Sequence, residues 1–131
     1  MDYGFSTLLV SAISALGTLI QAYNGEKTKQ SEIRKAKKRL DNPYKIGTKK
    51  VEDVISEDLL HKLSDKAQIE AREFLNILEN ETDITKVTQA KKDAQVKICF
   101  YLNQIKQFNE NELPTKLLNN LWSSHACEDC S

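Results

Sequence analysis

Apolar residues are arranged along this chain in two different ways. From Tyr3 to Tyr23 (YGFSTLLVSAISALGTLIQAY) no charged residue occurs, and Phe5, Leu9, Ala12, Leu16, Leu19 and Tyr23 form an apolar stripe beside an uncharged polar one. Beyond residue 55 apolar residues recur every three or four positions, the spacing of an amphipathic helix. Only four glycines and two prolines interrupt 131 residues, so the pattern predicts an all-α protein.

The first helix runs from about Tyr3 to Tyr23, with Asn24-Gly25 as its terminator, although Glu26 to Leu40 could continue it as a charged helix. At about 1.5 Å per residue this run spans roughly 31 Å, the hydrocarbon thickness of a bilayer. The expectation is a single transmembrane helix. Asp41 to Lys50, with Pro43 and Gly47, reads as a linker.

A second helix starts near Ser56, a residue suited to capping, followed by Glu57 and Asp58 at the positive end of the dipole. Its apolar face is Leu60, Leu63, Ala67, Ala71, Phe74, Leu75 and Leu78. The third, from about Thr85 to Phe108, offers Val87, Ala90, Ala94, Ile98, Tyr101, Leu102, Ile105 and Phe108. A break at Asn109 to Pro114 precedes a fourth, about Thr115 to Ser124, and His125 to Ser131 forms a flexible tail. The expected organisation is thus a membrane helix (1–24), a basic juxtamembrane segment and linker (25–50), a cytosolic three-helix bundle (51–124) and the tail (125–131).

Charge sharpens this division. The formal net charge is zero, yet residues 25–50 carry ten Lys/Arg against Glu26, Glu32 and Asp41, while residues 51–131 carry nine basic and fifteen acidic side chains. Basic residues just beyond a spanning segment stay on the cytoplasmic side, which would place the carboxyl-terminal domain there. Met1-Asp2 supplies no positive start for a secretory signal. Three cysteines are an odd set and argue against a secreted disulfide scaffold. Asn80-Glu81-Thr82 is a glycosylation sequon that would oppose this topology if used.

Within the first helix Thr7, Ser11, Ser14, Thr18 and Gln21 fall on one stripe, a candidate surface for membrane helix packing or a narrow pore. The bland alternative is a hydroxyl face turned to water. The cluster Arg34, Lys35, Lys37, Lys38 and Arg39 is the candidate contact for anionic lipid or phosphate. Nucleic acid is a second candidate partner, weakened by the scarcity of aromatics nearby. Tyr44, Lys45, Lys49 and Lys50 combine a stacking ring with phosphate donors, a weak signal for a nucleotide-like ligand.

No nucleophile–base pair, glycine-rich phosphate loop or carboxylate–histidine group is visible, so no catalytic residues, cofactor or metal are expected. His61 with Asp58 and Asp65 reads as a surface ion-pair group, Cys99 as core filling, and His125, Cys127 and Cys130 fall one ligand short of a tetrahedral site. The expected function is a self-associating, membrane-anchored helical signalling or effector protein that receives a partner or anionic ligand, an analogy of architecture with small bacterial membrane effectors in defence. The alternative is a soluble helical adaptor or nucleic-acid-binding regulator.

Overall fold

The computed structural model describes residues 5–23, 28–43 and 56–108. They form four helices: α1 (Phe5–Ala22), α2 (Gln30–Asp41), α3 (Glu57–Asn80) and α4 (Ile84–Phe108). Among the described residues the only β feature is an isolated antiparallel bridge between Tyr23 and Thr28. The helix expected over 115–124, the linker residues Tyr44, Lys45, Lys49 and Lys50, and the His125/Cys127/Cys130 tail lie outside the described residues.

The local signals at α3 and α4 behave as their chemistry requires. Ser56 caps α3, its Oγ accepting from the Leu59 amide at 3.4 Å, and every apolar residue expected on the inner face is buried, joined by Ser64. At the start of α4, Asp83 Oδ1 accepts from the Thr85 amide at 2.9 Å and satisfies a donor that the first helical turn leaves free. Val87, Ala94, Ile98 and Tyr101 are buried on α4, with Ala90 partly so. Cys99 is buried in the hydrophobic core, as expected, and is also disulfide-bonded, a covalent role that helical spacing does not signal.

The first helix ends at Ala22, close to the expected terminator, while one alternative and one expectation about the amino-terminal half are corrected. First, Glu26 to Leu40 does not extend the first helix. The Lys29 amide donates to the Ala22 carbonyl at 2.8 Å, and the Tyr23–Thr28 bridge pairs the chain with itself. It therefore doubles back, and α2 lies antiparallel along α1 with Ile33, Ala36 and Leu40 buried.

Second, α1 is the central helix of the bundle, and the expected transmembrane role is not supported. Every residue from Leu9 to Ile20 is buried, and α1 packs chiefly on α3 and α2, and on α4 to a smaller extent. Among the described residues no helix is long and apolar enough to cross a membrane. The physical reason is that α2, α3 and α4 each carry one apolar stripe needing a partner, and α1 supplies a surface on all sides. Ala12, Ala15, Ala36, Ala67 and Ala71 are each fully buried, small enough at these contacts for the helix axes to approach closely.

The hydroxyl stripe turns out to be neither lipid-facing nor water-facing. Thr7, Ser11, Ser14 and Thr18 are buried, and Gln21 alone is exposed. Thr18 Oγ1 donates back to the Ser14 carbonyl at 3.0 Å. Ser11 Oγ is buried and meets no hydrogen-bond partner among the described residues.

Candidate functional site

The residues that bear chemistry on α2 divide by direction. Ile33, Ala36 and Leu40 hold one face of the helix against the bundle, which leaves Arg34, Lys35 and Lys38 exposed on the other. Arg34 and Lys38, one turn apart, meet no acceptor among the described residues. Lys35 pairs with Glu32 within its own helix at 3.2 Å. A cationic face fixed in this way cannot withdraw without unpacking the core beneath it.

The other two members of the basic cluster are drawn inward. Lys37 Nζ lies 2.6 Å from Glu79 Oε2 on α3, so its charge is spent on joining two helices. Arg39 is half-buried: its Nη1 donates to Thr18 Oγ1 and, at 3.5 Å, to the Ser14 carbonyl of α1. The candidate lipid-contact set and the candidate helix-packing stripe thus meet at Arg39, a junction that no spacing rule predicts because 21 residues separate it from Thr18.

Arg72 of α3 completes the surroundings. It contacts Asp41 Oδ1 through both terminal nitrogens at 3.4 Å and donates to the Leu40 carbonyl at 3.3 Å. It therefore pairs with the carboxylate of Asp41 and caps a carbonyl at the negative end of the α2 dipole. At the carboxyl end of α2 an open cavity of about 480 Å³ is lined, among the described residues, by Lys35, Lys38, Arg39 and Asn42. Asn42 sits in a segment that reads as linker in sequence; only its place one residue past the helix end marks it.

A second polar group lies between α3 and α4. Tyr101, 1% exposed, donates from its hydroxyl to Glu70 Oε2 at 2.6 Å, and Lys97 Nζ stands 3.9 Å from Glu70 Oε1. Burial, then the hydrogen bond to Glu70 and its negative charge, push the Tyr101 phenol far above its ordinary range. The adjoining cleft is only about 80 Å³. The hydrogen bond and the ion pair join α3 to α4. His61 stands 3.3 Å from Asp65, as its surface spacing suggests, and among the described residues no three His, Cys, Asp or Glu side chains are placed to hold a metal ion.

No protein-family model, curated protein or solved structure matches the chain.

Proposed function

We propose that this protein is a non-catalytic helical binding module that docks on anionic lipid surfaces through the exposed face of α2. The observation that carries the reading is the pair Arg34 and Lys38, with Lys35 between them, presented free of carboxylate partners on α3 or α4 by a helix whose opposite face is buried. Lys37 secures α2 to α3, and Arg39 is braced on α1 through Nη1 while it lines the cavity at the end of the docking face.

Magnitude decides how such docking would work. At about 1 kcal/mol per basic residue near an anionic leaflet, Arg34 and Lys38 contribute about 2 kcal/mol, roughly thirtyfold in partition, while Glu32 offsets Lys35. That is weak for one copy. Self-association, which presents two or more such faces to one surface, raises the effective affinity without any new contact. The chain is accordingly proposed to act at the membrane surface as an oligomer, with α1 remaining in the bundle core.

The test is co-sedimentation of the full chain with vesicles of neutral lipid and with vesicles containing phosphatidylglycerol, at rising salt. Binding confined to the anionic vesicles and lost as salt screens the charge supports the proposal. Equal binding to neutral vesicles contradicts it. Displacement by duplex DNA at equal charge concentration would transfer the face to nucleic acid instead.

A further inference from the structure

We infer that the cavity at the carboxyl end of α2 is a phosphate-monoester site, with Arg39 as its fork and Lys35, Lys38 and Asn42 as its rim. This deepens the docking proposal above, on which it rests, by naming the group that the cationic face selects.

Arg39 is the residue that distinguishes a site from a patch. A guanidinium carries five N–H donors in a rigid plane, and here Nη1 is held by Thr18 Oγ1 and the Ser14 carbonyl. Its Nε and Nη2 donors meet no acceptor among the described residues, and that edge matches two oxygens of one phosphate. Anchoring the far nitrogen to a buried hydroxyl fixes the orientation of the plane in advance, so less side-chain freedom is lost on binding. A surface lysine has no such preparation.

The charge balance among the described residues selects the ligand class. Of these, Lys35, Lys38 and Arg39 bring three positive charges to the cavity, and Glu32, bound to Lys35, offsets one. Asp41 does not enter the sum because Arg72 holds it, and the same Arg72 occupies the Leu40 carbonyl that would otherwise repel an anion. Two uncompensated charges match a phosphate monoester, which carries about −1.5 to −2 at neutral pH. A diester lipid headgroup carries only one. The Asn42 backbone amide is used in capping, donating to the Lys38 carbonyl at 2.8 Å, but its side-chain amide meets no acceptor among the described residues and can donate to the same phosphate. The volume of about 480 Å³ admits a phosphate with a few carbons attached, within the usual range of small-molecule sites.

A phosphomonoester can come from a lipid headgroup or from a free metabolite, and the experiment separates the two. Binding of the full chain is measured on vesicles containing phosphatidic acid and on vesicles containing phosphatidylglycerol at matched surface charge, with glycerol 3-phosphate as a soluble competitor. The inference predicts about tenfold tighter binding to phosphatidic acid, the scale of one added bidentate charge-assisted contact. The preference should fade as pH falls below about 6, where the monoester loses its second charge. Competition by glycerol 3-phosphate assigns the site to the free phosphate group; preference without competition assigns it to the lipid headgroup. Arg39→Lys keeps the charge but removes the fork, and should erase the preference while phosphatidylglycerol binding stays. Because Arg39 also braces α1, Asn42→Ala, an exposed position, is the second variant and should weaken the preference in a chain with unchanged helicity. Arg34→Ala lies outside the cavity and should lower binding to both vesicles equally. Equal binding to the two vesicles with no effect of glycerol 3-phosphate overturns the site while leaving surface docking intact; no binding to either overturns both.

Discussion

Replacing Tyr101 by Phe probes how α3 and α4 are joined, and its cost can be worked from the contacts. The hydroxyl donates at 2.6 Å to a Glu70 side chain that is 9% exposed. Loss of a hydrogen bond to a charged acceptor costs about 1.5–3 kcal/mol. Lys97 cannot compensate, since it stands 3.9 Å away with its own side chain half-exposed, where ion pairs contribute about 0–1 kcal/mol. Tyr101→Phe should therefore destabilise the protein by about 2 kcal/mol at neutral pH, roughly a thirtyfold change in the folding equilibrium. The pH dependence supplies a second readout. The folded state holds the phenol protonated, whereas the unfolded phenol ionises near pH 10. Above about pH 10 the unfolded state binds fewer protons, so stability present at neutral pH declines as pH rises. Tyr101→Phe lacks this share of the decline, and the gap between the two proteins should narrow in alkali. Urea unfolding followed by circular dichroism at neutral pH and above pH 10 measures both quantities. A neutral-pH cost below about 0.5 kcal/mol, or a gap that is constant with pH, would refute the reasoning.

Three other substitutions test separate parts of the bundle by the same unfolding assay. Ser11→Ala removes a buried hydroxyl that meets no partner among the described residues and should stabilise the protein by about 1 kcal/mol; destabilisation would mean the hydroxyl is satisfied in solution. Ser56→Ala deletes the α3 cap, and because its bond is long at 3.4 Å the cost should fall near the low end, about 0.5–1 kcal/mol. Ala67→Leu forces a larger side chain into a fully buried position on α3 and should cost about 1–3 kcal/mol, whereas no loss would show that this position of α3 has room to spare.

Local rules were sufficient for α3 and α4. The Ser56 cap and the three-and-four spacing from Leu60 to Leu78 located α3, and Val87 to Tyr101 located the inner face of α4. The Asp83 cap was missed, although an aspartate two residues before Thr85 is the signal that could have marked it. The amino-terminal half was not, because a charge-free helix is equally satisfied by lipid and by three amphipathic neighbours. What separates these cases is the partner surface offered by Ala67, Ala71, Ile33 and Leu40, a property of the whole chain and not of the helix itself. The basic cluster was visible as a composition, but its division was hidden. Exposed Arg34 and Lys38 differ from Lys37 and Arg39 only through the distant residues Glu79, Thr18 and Ser14.

The most direct test of the account is charge reversal on the exposed face of α2. Arg34→Glu with Lys38→Glu alters two exposed side chains that meet no acceptor among the described residues, so folding and thermal stability should be nearly unchanged. Binding to phosphatidylglycerol vesicles at low salt should nevertheless fall by at least about thirtyfold, since two attractions of about 1 kcal/mol each become repulsions. If the reversed protein folds normally and binds those vesicles as tightly as the original, the cationic face of α2 is not what docks.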